Sequence, residues 1–177
     1  FQYFQRFGWD GSVFYLGNYV KANSLSWHYP IVWIFITTPL FYLILFLIGI
    51  YFVVKNFFKN FLENEKNSLK SNFWSSKNEK IDIFILSAFI APIILIILLN
   101  SSLYNGWRQL YFVYPFLTYI SVVGLFGCLN LLNKFKIFLL SFVICSIFFN
   151  IFTIYKLHPF QNIYFNIFAE KNANKFF

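Results

Sequence analysis

The chain has 177 residues, of which 59% are hydrophobic, 25% aromatic and only 11% charged, with a mean hydropathy of +0.63. A water-soluble domain is excluded by such a composition, and a membrane protein is expected. The formal net charge of +8 does not point to nucleic acid, because the lysines gather beside apolar runs and form no basic face interleaved with aromatic rings; anionic lipid is the expected counter-charge.

In chain order, residues 1–30 read as an external loop. Ser12 can cap a short helix on which Val13, Leu16 and Val20 share one face, with Phe14, Tyr15 and Tyr19 adding aromatic area; such a helix would lie in the membrane interface. Asp10, between Trp9 and Gly11, reads as a turn former. Trp27, His28 and Tyr29 read as interfacial anchors before the first span. Four segments are long and apolar enough to cross a bilayer, 31–54, 83–99, 110–132 and 137–155, since a crossing takes about 20 residues. They are apolar all round, so periodicity does not decide their structure, but helices are the open-ended way to satisfy a backbone in lipid. Pro39, Pro92 and Pro115 fall inside these spans and are expected to bend them or to leave a carbonyl free for a neighbour.

The connections are expected at 55–82, 100–109 and 133–136, with a tail at 156–177. Lys55, Lys59, Lys66, Lys70, Lys77 and Lys80, with Lys134 and Lys136, crowd the first and third of these, which places both in the cytoplasm by the positive-inside rule. The remaining cations, Arg6, Lys21, Arg108, Lys156, Lys171 and Lys175, are more thinly spread, which puts residues 1–30, the Arg108 loop and the tail outside. The Asn, Lys, Ser and Glu-rich stretch from Asn56 to Glu79 reads as a solvated, partly helical loop. Methionine is absent and Phe1 opens without the charged region of a signal peptide, so the chain is expected to be an internal piece of a longer protein.

Chemistry-bearing motifs are few. No phosphate-binding glycine loop, dinucleotide turn, nucleophile elbow or His/Cys cluster at metal spacing occurs. Cys128 and Cys145 sit in apolar runs and read as small hydrophobes. His28 and His158 stand alone. The most informative loop is Asn100-Ser101-Ser102-Leu103-Tyr104-Asn105-Gly106-Trp107-Arg108-Gln109. It sets a guanidinium at the mouth of a span among Tyr104, Trp107 and Tyr111. Such an arginine either snorkels to the interface or pairs with an anion, and aromatic faces beside it suit a sugar ring.

Three patches carry a resemblance. They are Ser24-Leu25-Ser26-Trp27-His28-Tyr29-Pro30-Ile31-Val32-Trp33 running into Ile36-Thr37-Thr38-Pro39-Leu40, then Tyr104-Asn105-Gly106-Trp107-Arg108-Gln109-Leu110-Tyr111-Phe112-Val113-Tyr114-Pro115, and Leu157-His158-Pro159-Phe160-Gln161-Asn162-Ile163-Tyr164-Phe165-Asn166. In this order they resemble the later half of bacterial membrane glycosyltransferases of the dolichyl-phosphate-mannose-protein mannosyltransferase-like family, the GT-C enzymes similar to aminoarabinose transferases. The resemblance implies an all-α polytopic bundle in the bacterial inner membrane, with interfacial helices in its external loops. It also implies transfer of a sugar from a polyprenyl-phosphate carrier to a glycan, lipid or protein acceptor of the cell envelope. The family's catalytic carboxylate lies in an earlier external loop with no counterpart here, so the catalytic residue is unknown and Asp10 does not take its place. Arg108 is expected to hold the departing phosphate, with Trp107 and Tyr104 flanking the isoprenyl stem or sugar and His158 nearby. No metal or cofactor is assigned. A transporter or flippase binding an anionic headgroup without chemistry, or a purely structural bundle, would use the same residues.

Overall fold

The computed structural model describes residues 11–66, 77–103, 106–160 and 164–171. Four helices in it are long and apolar enough to cross a membrane, over Leu40–Lys59, Glu79–Leu98, Arg108–Leu131 and Asn133–Lys156. The protein is a multi-pass, all-α membrane protein. Its elements begin with a hairpin of β1 (Ser12–Tyr15) and β2 (Asn18–Lys21). The helices follow as α1 (Tyr29–Thr37), α2 (Leu40–Lys66), α3 (Lys77–Leu98), α4 (Tyr114–Leu131), α5 (Lys136–Lys156) and a short α6 (Ile167–Glu170).

The hairpin replaces the interfacial helix expected after Ser12. Its strands pair antiparallel from Ser12 with Lys21 to Tyr15 with Asn18. Leu16 and Gly17 both take positive φ, 52° and 83°, which is the two-residue loop that matches strand twist. Period two therefore wins over period 3.6: Val13 and Tyr15 are buried while Leu16 is exposed, whereas a helix would have buried Leu16 with Val13. Ala22 N–H extends the pairing to the Gly11 carbonyl at 3.0 Å.

The first expected span is two helices. Thr38 is extended, at φ −95° and ψ 135°, as the residue before a proline prefers. Pro39 has no N–H to continue the ladder, and the chain restarts with Tyr42 and Leu43 N–H on the Pro39 carbonyl at 3.0 and 3.3 Å. At its far end α2 runs past Val54 to Lys66 and α3 begins at Lys77, so helix occupies much of the loop expected to be solvated. Pro92 lies inside α3 as expected. Pro115 does not bend a span; it sits in the first turn of α4, where the missing N–H costs no hydrogen bond, after a 3-10 helix over Arg108–Val113.

The core is the crossing of α2 and α4. Ser121 Oγ donates to the Tyr42 carbonyl at 3.0 Å, Gly124 lies against Leu45 and Gly49, and Gly127 lies under the Phe52 ring. Residue numbers rise together along this seam, so the two helices are parallel, as first and third spans of an alternating bundle must be. Helix α3 packs on both, with Phe46 and Phe89 edge to face at 4.9 Å and Ile93 in the same cluster as Leu117 and Ile120. Tyr119 Oη donates to Asp82 Oδ1 at 2.9 Å across α4 and α3. No residue of α5 is buried; it touches α2 through Phe142 on Phe41, rings 5.3 Å apart, and presents apolar side chains suited to hydrocarbon.

Candidate functional site

The end of the bundle at which α2 starts and α3 finishes carries Arg108, and the hairpin, α1 and α6 cap it. Helix α3 is closed there by Asn100 at φ 45°, with Ser101 N–H bonded to the Ile96 carbonyl at 3.1 Å and Asn100 N–H to that of Ile97 at 3.3 Å, a left-handed C-cap. Gly106 lies past this cap. Its φ is 79°, its N–H donates to Tyr29 Oη at 3.0 Å, and a Cβ there would meet the Trp33 ring at 3.7 Å. The positive φ is what calls for glycine. Trp107 then points inward, 4% exposed, and its Nε1–H donates to Thr37 Oγ1 at 2.7 Å. Leu110 and Val113 are fully buried, so the 3-10 helix is seated firmly while Arg108, Tyr111 and Phe112 remain exposed on it.

The hairpin is docked by Tyr15. Its ring lies edge-on to Tyr29 at 4.8 Å and its Oη is 2.7 Å from His28 Nδ1. Burial, and secondarily Tyr29, push the Tyr15 phenol up to about 12 from an ordinary 10.0; burial also raises Tyr29. The phenol therefore keeps its proton through the ordinary pH range, within hydrogen-bond distance of the imidazole. Below pH 10 the folded and unfolded chains both hold this proton and docking is at full strength. Between pH 10 and about 12 the unfolded chain releases it first, so docking weakens as pH rises through that window. In an ultraviolet titration the late-ionising phenols should include one about two pH units late, consistent with the folded value of about 12, and Tyr15→Phe should reduce the late step by one phenol. An unchanged late step in Tyr15→Phe would assign it elsewhere.

The tail closes the cap from the opposite direction. Phe165 packs on Trp33, ring centroids 6.2 Å apart, and burial, then Glu170, raise the Tyr164 phenol. Asn166 is inserted against α1, with Nδ2 donating to the Phe35 carbonyl at 2.6 Å and the Thr38 carbonyl at 3.2 Å. A crevice lies between the hairpin side and α3, lined by Ser26, Tyr29, Ile97, Asn100 and Ser101 among others; at about 30 Å³ it has room for a water or two and not for a sugar.

Of the residues expected at the site, Arg108 and Trp107 are set together by the fold. Arg108 is exposed and available to an anion. Trp107 is buried, with its N–H on Thr37 and its ring against Tyr111 and Tyr114, so in this structure it supports the turn. Tyr111 and Phe112 are the exposed rings beside Arg108. His158 is exposed in the turn after α5. Tyr104, Asp10 and Trp9 lie outside the described residues. Thr37, Tyr29 and Asn166 were not expected here; their roles depend on contacts across 70, 77 and 128 residues of chain, which no local pattern signals. Among the described residues no three His, Cys, Asp or Glu side chains come together as a metal site. No family model matches the chain, and neither a curated protein nor a solved structure matches it.

Proposed function

We propose that the protein is part of a membrane glycosyltransferase that moves a sugar from a polyprenyl-phosphate carrier to an acceptor of the bacterial cell envelope, with the Arg108 end of the bundle facing outward from the inner membrane. The observation that carries this reading is the presentation of Arg108. Its guanidinium is exposed at the start of a span, on a turn whose Trp107, Leu110 and Val113 are buried and whose Phe112 and outer face of Tyr111 are exposed where an isoprenoid would lie. A guanidinium stays charged and offers a fork to two phosphate oxygens. Charge grows on the departing phosphate as the glycosyl bond breaks, and a fixed cation in a poorly hydrated place stabilises it. The acceptor hydroxyl attacks the anomeric carbon, the carrier leaves as its phosphate, and the acceptor's proton goes to a carboxylate outside this chain.

Support for the orientation comes from the separation of cations. Helices α2 and α4 run away from the Arg108 end. Lys55 follows Tyr51 at the far part of α2, with Nζ 5.6 Å from the Tyr51 ring centroid, and Lys134 and Lys136 are exposed where α4 passes into α5. In protein with Cys128 and Cys145 replaced by alanine, cysteines at Ser102 and Asn133 should react with an impermeant thiol reagent from opposite sides, Ser102→Cys from outside. Reaction of both from one side would overturn the arrangement. Activity is tested directly by supplying a polyprenyl-phosphate sugar and following loss of the sugar from the carrier. Binding of the carrier without transfer, in protein that has its catalytic carboxylate, would instead favour a lipid carrier or flippase.

A further inference from the structure

The break between α1 and α2 is held from two directions. From one, Thr37 Oγ1 accepts the Trp107 indole N–H at 2.7 Å and donates to the Trp33 carbonyl at 2.7 Å. From the other comes Asn166, 4% exposed. Continuation of α1 would bring the N–H of residue 39 to the Phe35 carbonyl, and residue 39 is proline. Asn166 Nδ2 supplies that missing donor at 2.6 Å and reaches the Thr38 carbonyl as well, while Asn166 N–H bonds the Ile36 carbonyl at 2.8 Å. Its Oδ1 accepts from Ala169 N–H at 3.3 Å at the start of α6, so both ends of the amide are committed and its orientation is fixed. Open carbonyls beside lipid are costly. The tail is thus tied to the residues that also seat Trp107.

We infer that Thr37 and Asn166 are positioning residues: through the carbonyls and hydroxyl of residues 35–38 they fix the Trp107 ring, and with it the turn that presents Arg108. The structural part of this inference is independent of ligand; its consequence for affinity rests on the reading of Arg108 as a phosphate-binding residue. The test uses the full chain in nanodiscs containing phosphatidylglycerol, with the Trp107 indole N–H resonance assigned by Trp107→Phe. Thr37→Val keeps the shape and removes the acceptor, and should shift that resonance and speed its hydrogen exchange by about tenfold, as loss of one hydrogen bond does. Thr37→Ser should restore both. Asn166→Asp keeps the cap on α6 but loses the donor, and should shift the same resonance although residue 166 does not touch Trp107 in the bonding described.

Farnesyl phosphate serves as the ligand probe, and its dissociation constant should rise roughly threefold to tenfold in Thr37→Val and in Asn166→Asp. An Asn166→Asp variant of ordinary thermal stability whose Trp107 resonance and exchange match those of the unmodified protein would overturn the inference. So would a Thr37→Ser variant that behaves as Thr37→Val. If farnesyl phosphate fails to bind the unmodified protein while the resonance moves as expected, the reading of Arg108 fails and the positioning stands.

Discussion

Gly124→Ala will destabilise the bundle by about 1 to 3 kcal/mol, although the change adds one methyl group to a helix and would stabilise an exposed one by roughly 0.5–1 kcal/mol. The sign is set by what the methyl meets. A Cβ at Gly124 runs into the Leu45 carbonyl oxygen and comes within 2.7 Å of Gly49 N, and neither is a side chain that can rotate away. Helices α2 and α4 must move apart, which opens the contacts of Ile120, Leu117 and Phe46 together. In lipid no hydrophobic force drives helices together, so close approach of small residues is the main source of attraction and its loss is felt directly. Gly49→Ala should behave alike, because its Cβ would meet the Ile120 carbonyl. Gly127→Ala should be milder, since its Cβ meets the edge of the Phe52 ring, which can turn. Unfolding in mixed micelles by increasing dodecyl sulfate measures the difference, with Val122→Ala on an exposed position as control. A Gly124→Ala protein as stable as the control would mean that α2 and α4 do not cross at these residues.

The spans were readable because solvent dictates them: long apolar runs have one open-ended structure in hydrocarbon, whatever their periodicity. Places where the chain departs from a plain span depended on finer competition. Pro39 was visible, but whether a proline bends a helix or divides it turns on what satisfies the freed carbonyls, and the donor is Asn166, far along the chain. The hairpin is hidden in the sequence because Leu16-Gly17 lacks the Asn-Gly signal of its turn and Val13, Leu16 and Val20 also fit a helical stripe. Arg108 was legible as an unusual charge at a membrane boundary. The direction of Trp107 was not, because an aromatic ring at that boundary serves equally as an interfacial anchor or as buried support, and Thr37, 70 residues away, decides between them.

On the proposed reading, Arg108→Ala should lower sugar transfer by roughly 30- to 1000-fold, equivalent to about 2 to 4 kcal/mol of transition-state stabilisation, by comparison with removal of other fixed charge-stabilising groups. The fold should survive, because the side chain is exposed and the turn is held by Trp107, Leu110 and Val113, so insertion and melting serve as controls. Arg108→Lys should recover little: an ammonium keeps the charge but binds one phosphate oxygen where the guanidinium spans two. Trp107→Phe distinguishes support from ligand contact. With the ring packed inward and its N–H on Thr37, the substitution should weaken transfer and stability in parallel, by about 1 kcal/mol for the lost hydrogen bond, whereas Phe112→Ala, at an exposed position, should impair use of the isoprenoid carrier and leave stability alone. Full transfer activity in a normally inserted Arg108→Ala protein would make Arg108 a snorkelling anchor at the membrane surface, and the phosphate would then have to be held by residues other than those of this turn.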